Sequence, residues 1–167
     1  MKPDRVVGID PGLSATGVGI VERDSDGRYQ VVYIDTIKTP KTASTAQKLH
    51  IICTGIRGLI EQHRPVCLAV EETFYHKNVK SALALGQARG AALLAAAEAD
   101  LDVMELSPKT VKQAAVGTGS AAKHQVGVMI TAILQLPEVP ESPDACDALA
   151  VALAALNRRA LPAEVRT

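Results

Sequence analysis

The chain has 167 residues, 47% of them hydrophobic and 22% charged, a size and balance that fit one folded domain and exclude a disordered or fibrous chain. Eighteen basic residues face eighteen acidic ones, so no overall charge draws the chain to a nucleic acid or a membrane surface. Apolar runs stay short of the about 20 residues that span a bilayer, and Met1-Lys2-Pro3-Asp4 leads into a strand and not a signal peptide; a cytoplasmic protein without membrane association is expected.

Residues 5–10 form a short apolar run that closes on Asp10 and is turned by Pro11-Gly12. Residues 16–22 and 29–37 are rich in β-branched side chains, and the polar link Asp24-Ser25-Asp26-Gly27-Arg28 suits a hairpin between them. Over 45–63, Leu49, Ile52, Cys53, Ile56, Leu59 and Ile60 recur at helical spacing, and Pro65 bounds that helix. A buried strand follows over 66–71. Residues 78–100 read as a long helix rich in Ala and Leu, in which Gly86 and Gly90 leave a small face suited to a second subunit. The remainder predicts a strand over 102–106, a brief helix capped by Ser107-Pro108, a helix over 120–135, a loop over 137–143 and a closing helix over 144–159. Three strands, helix, strand, helix, strand and further helices make an α/β chain with a mixed sheet.

Cys53, Cys67 and Cys146 form no C-x-x-C pair and read as small buried hydrophobes in a reducing compartment. His50 and His63 read as helix surface, and no histidine pair has metal-ligating spacing. Charge is neutral in sum but uneven in place. No acid occurs from Thr73 to Ala97, which holds Lys77, Lys80 and Arg89, or from Leu106 to Pro137, which holds Lys109, Lys112 and Lys123. One such stretch is an ordinary solvated face; two flanking candidate acids fit a surface that neutralises phosphates.

Asp10 and Glu71 each close a buried apolar run, where an unpartnered charge is costly. Asp144 and Asp147 stand three apart at the start of the last helix, on one face. Helix capping accounts for Asp144, and for Asp147 only in part. Four carboxylates without Cys or His select Mg²⁺ or Mn²⁺, and two such ions at one site are suited to phosphodiester hydrolysis. The turn Val116-Gly117-Thr118-Gly119-Ser120 between Lys112 and Lys123 is either a phosphate cradle or a plain connection. Phe74, beside Tyr75, is either a base-stacking side chain or a local core anchor.

These residues resemble the RuvC family of Holliday junction resolvases. The likeness rests on Gly8-Ile9-Asp10-Pro11-Gly12 with Thr16-Gly17, on Val70-Glu71 followed by Phe74 and Lys77-Asn78, on Ser81-Ala82-Leu83 and Leu85-Gly86-Gln87-Ala88-Arg89-Gly90, and on Asp144-Ala145-Cys146-Asp147-Ala148-Leu149-Ala150. It implies a ribonuclease H-like fold, a five-stranded mixed sheet with helices on both faces, as one nuclease domain over 1–160 with a short tail over 161–167. It implies a homodimer that nicks four-way DNA junctions in symmetric pairs during recombination and repair, loaded by the RuvA-RuvB branch-migration complex. Asp10, Glu71, Asp144 and Asp147 would bind metal, Lys123 would join them in the active centre, and Phe74, Tyr75, Lys77, Lys80, Arg89, Lys109, Lys112 and Lys123 would meet DNA. Glu72 competes with Glu71 for one role; Glu71 is preferred because it matches the family's acid and alternates with Ala69. Two rivals carry other expectations. An actin-like or sugar-kinase nucleotide-binding lobe shares the Gly8 to Gly17 motif but needs a second lobe, and a non-catalytic junction-binding module would not need all four acids.

Overall fold

The computed structural model describes residues 4–72, 78–117, 119 and 122–161. Ten elements follow in the expected order: β1 Asp4–Asp10, β2 Ala15–Arg23, β3 Tyr29–Lys38, α1 Thr45–His63, β4 Cys67–Glu71, α2 Val79–Glu98, β5 Asp102–Leu106, α3 Pro108–Val116, α4 Lys123–Ile133 and α5 Pro143–Ala160. The strands form one mixed sheet in the order β3-β2-β1-β4-β5, antiparallel through the opening meander and parallel from β1 to β4 and β4 to β5. This is the ribonuclease H-like arrangement that the motifs imply.

Strand alternation divides the core into two layers. Val7, Ile9, Val18, Ile20, Leu68 and Val70 point to one face, where Ile52, Ile56 and Ile60 of α1 and the alanines of α2 cover them. Val6, Val21, Cys67, Ala69 and Leu106 point to the other, beneath α3, α4 and α5. Helix α5 is enclosed by sheet and helices, so from Ala145 to Leu156 every residue except Asp147 is buried. Its seat is made by glycines. A β-carbon on Gly8 would overlap the Ala148 carbonyl oxygen, and one on Gly17 the Asp144 carbonyl, so only these bare positions let the helix backbone lie against the strands.

Local signals set the ends. Ser44 and Gln47 form a capping box on α1, and Asn78 accepts from the amides of Lys80 and Ser81 at the start of α2. Three expectations are corrected. Helix α4 starts at Lys123, not 120, because Ala122 is extended, with ψ 149. Helix α5 starts at Pro143, since Ser142 and not Asp144 is its N-cap and accepts from the Ala145 amide at 3.3 Å. His63 is not plain helix surface: its ring packs against Tyr33 at 5.4 Å between centroids, and its Nε2 is buried. Of the cysteines, Cys67 and Cys146 are buried and Cys53 is half-buried. Residues 162–167 of the anticipated tail lie outside the described residues.

Candidate active site

Ile9 pairs with Val70 in the parallel ladder, so Asp10 and Glu71, one step further on, end neighbouring strands side by side. Parity assigns their side chains. Asp10 alternates with Gly8 and Val6, and Glu71 with Ala69 and Cys67, which places both acids on the α5 face. Glu72 falls on the opposite parity, after its amide donates to the Leu106 carbonyl at 2.7 Å. The same face receives the start of α5, because Gly17, the cross-strand partner of Asp10, carries the Asp144 backbone directly on it.

Asp147 lies one turn into α5 and lines a cleft of about 210 Å³ with Glu71, Lys112, Val126 and Ala150, roofed by Pro108 and Val111 of α3. Two acids from distant parts of the chain therefore share one hollow with a half-buried lysine. With Ser142 capping the helix, Asp144 sits inside the first turn, so capping does not explain it; it adds only negative charge near the positive helix end. The ends of β1 and β4 and the start of α5 thus meet at one end and one face of the sheet. Among the described residues, no group of three or more His, Cys, Asp or Glu side chains stands at metal-ligating spacing.

The donor set nevertheless fits a hard divalent cation. Every candidate ligand is a carboxylate; Cys146 faces away toward α4, its Sγ lying 3.6 Å from where a β-carbon on Gly127 would stand, and His50 and His63 belong to α1 beneath the other face. The turn after Asp10 is held by Thr16, wholly buried, whose hydroxyl donates to the Gly12 carbonyl at 2.8 Å and accepts from the Gly12 amide at 3.3 Å. Thr16 was legible only as part of a motif; its structural task, fixing the exit from Asp10, shows in these bonds.

The expected DNA contacts divide. Lys80 is exposed at the first turn of α2 and Lys109 on α3, with the Lys109 stem against Gly119. Arg89 is instead paired with Glu105 of β5, and its side chain is 19% exposed. Phe74, Tyr75 and Lys77, Thr118 and Ser120 of the glycine-rich turn, and the side chain of Lys123 lie outside the described residues. Gly117 closes α3 in the left-handed region, with φ 74, and its amide donates to the Gln113 carbonyl, so that end of the turn serves as a helix C-cap.

Comparison with known proteins decides the family. The profile described as "Crossover junction endodeoxyribonuclease RuvC" matches residues 6–155. This chain belongs to that family. The crossover junction endodeoxyribonuclease RuvC of Moorella thermoacetica is 49% identical over 148 residues, covering 89% of this chain and 88% of that protein. Its counterpart from Halorhodospira halophila is 45% identical over 164 residues, covering 98% and 96%. Among solved structures, T. thermophilus RuvC in complex with Holliday junction substrate superposes with a TM-score of 0.85 at 35% identity, covering 90% of this chain and 92% of that one. The family match spans both strand-end acids and both acids of α5.

Proposed function

We propose that this chain resolves four-way DNA junctions by hydrolysing phosphodiester bonds, in recombination and repair, with Asp10, Glu71, Asp144 and Asp147 as its metal-binding acids. The observation that carries the assignment of residues is the meeting of two strand ends and one helix start on a single sheet face, with Glu71, Asp147 and Lys112 around one cleft. Asp147 is the sole exception to burial along its helix from Ala145 to Leu156, and a charge kept in such a place needs a cation or a polar partner.

Magnesium or manganese held by these acids, as two ions, would activate water and offset charge on the departing oxygen. The chain's own groups do the rest. Rigid strand ends fix Asp10 and Glu71, the seated helix fixes Asp144 and Asp147, and Lys112 brings positive charge to the cleft that a phosphate enters. Lys123 supports the active centre. Lys80 and Lys109 contact backbone phosphates together with Lys77, while Phe74 and Tyr75 stack on bases at the crossover. A phosphate contact by Arg89 requires its pair with Glu105 to open.

Symmetric nicking needs two sites of opposite orientation, which a twofold homodimer supplies. Val79, Leu83, Gly86, Gly90 and Leu94 make an exposed, largely apolar stripe along α2, with Val79 72% and Leu83 62% exposed, and both glycines open to solvent. A second copy crossing there would bury the stripe at close backbone approach. The assigned unit is a single nuclease domain over 1–160, cytoplasmic and loaded by the RuvA-RuvB complex; no helix among the described residues is long and apolar enough to cross a membrane.

The test is cleavage of a labelled four-way junction by wild-type and Asp10→Asn protein with Mg²⁺ or Mn²⁺. Retained binding with a loss of cutting of at least about 10²-fold supports the acid's role; unchanged cutting removes Asp10 from it.

A further inference from the structure

The first two turns of α5 carry two of the four acids, Asp144 just ahead of the buried stretch that anchors the helix and Asp147 within it as its one half-buried residue. Helix starts leave amides without partners and fray, so something local has to fix this one. Two contacts do so. Ser142 Oγ accepts from the Ala145 amide at 3.3 Å, and the same oxygen lies 2.8 Å from Thr36 Oγ1. Thr36 is on β3, which is remote in sequence but not in register: Asp10 pairs with Gly17, and Gly17 pairs with Thr36. Paired residues share a face, so Asp10, Gly17 and Thr36 form one row across three strands, directly beneath the start of α5.

We infer that Thr36 and Ser142 are positioning residues for the cleavage reaction: their hydroxyl pair ties the first turn of α5 to the strand row that ends in Asp10, and so sets where Asp144 and Asp147 stand relative to Asp10. Gly17 sets how close that turn comes to the sheet, because its missing β-carbon admits the Asp144 backbone. The Thr36–Ser142 bond sets its position along the row. Neither hydroxyl touches the reacting atoms; each acts through the helix that carries the acids. The inference rests on the proposed role of those acids, and its test separates the two.

The experiment compares Thr36→Val, which keeps the shape and loses the hydroxyl, with Thr36→Ser, which keeps the hydroxyl, and includes Ser142→Ala and Asp147→Asn. Single-turnover cleavage of a four-way junction is measured across a Mn²⁺ titration, Mn²⁺ binding is followed by the electron paramagnetic resonance of the free ion, and junction binding is measured in EDTA. Urea unfolding reports stability. Thr36→Val and Ser142→Ala are expected to cut about tenfold more slowly. They should need several times more Mn²⁺ for half-saturation both of cleavage and of direct binding, and bind the junction as wild type does. Thr36→Ser should restore cutting and Mn²⁺ affinity. Wild-type cutting and Mn²⁺ affinity in Thr36→Val, while Asp147→Asn is inactive, overturns the inference, as does an equal loss in Thr36→Val and Thr36→Ser. Normal cutting by Asp147→Asn instead overturns the role given to the acids.

Discussion

Replacing Gly17 with alanine places one carbon where the structure has no space. The added β-carbon would overlap the carbonyl of Asp144 and stand 2.8 Å from the Ala145 nitrogen. An ordinary contact is about 3.5 Å, so the nitrogen alone must retreat by about 0.7 Å, and the overlapped carbonyl by more. Nothing flexible yields, because the obstruction is backbone on both sides. Strand β2 is held by β1 and β3, and from within its first turn α5 is buried, Ala145 to Leu156 apart from Asp147.

Overpacking of this kind costs about 1–3 kcal/mol, and a displacement near 1 Å of a catalytic group lowers the rate by about 10²-fold. The expected result for Gly17→Ala is therefore a modest fall in stability by urea unfolding with a much larger fall in single-turnover junction cleavage. Gly58→Ala is the control: Gly58 lies on α1 with no atom near its would-be β-carbon, so there the substitution should stabilise the protein by about 0.5–1 kcal/mol through helix propensity and leave cutting unchanged. A Gly17→Ala protein that unfolds at the wild-type midpoint and cuts at the wild-type rate refutes the close seat of α5 as what holds the acids in place.

Strand parity separates two adjacent acids: Glu71→Gln should lower junction cleavage by at least about 10²-fold and Glu72→Gln by no more than about threefold, and the reverse order would show the register to be wrong. Leu83→Glu puts a charge at the centre of the exposed α2 stripe and should give a monomer in sedimentation analysis that no longer makes paired cuts; a dimer that persists places the interface elsewhere. Burial pushes the Cys67 thiol up from 9.0 to about 11. A raised folded value means that the unfolded chain loses its proton first, so stability is full below pH 9 and falls as pH rises from 9 to 11. The thiol's share of that fall is about 2–3 kcal/mol. Unfolding measured across that window should show a shallower slope for Cys67→Ala than for wild type, and equal slopes would count against the buried thiol.

The order of elements along the chain was legible because β1 and β4 are short apolar runs between turn signals, and the opening meander has its polar hairpin link. That Glu71 and not Glu72 shares a face with Ala69 was legible for the same reason, since alternation is a local property. The start of α5 was equally written in the chain: Ser142-Pro143 repeats the cap-and-proline signal of Ser107-Pro108, yet the acid beside it drew the N-cap role to Asp144. What could not be read was which element would come to rest on Gly8, Gly17 and Gly19. A glycine announces that something approaches closely, but the partner is about 130 residues away and is chosen by the packing of the whole layer. The Thr36–Ser142 bond is hidden in the same way, since the cap signal at Ser142 does not point to Thr36, 106 residues away.

Neutral net charge argues against a surface that grips DNA, but the sum hides how the charges are distributed. Arg5 pairs with Glu22, Arg57 with Glu61 and Glu98, Arg89 with Glu105 and Arg159 with Asp4, so these four of the eighteen basic residues offset acids within the fold. These pairs tie strand to strand, helix to helix and terminus to terminus, and their fields largely cancel at the distance of a docking duplex. The lysines are placed differently. Lys80 and Lys109 stand exposed at or near helix starts, where the partial positive charge of the backbone adds to their own, and Lys112 reaches the cleft beside Glu71 and Asp147. On the proposed roles of Lys80, Lys109 and Lys112, the salt dependence of junction binding should follow these few lysines and not the balance of the whole chain.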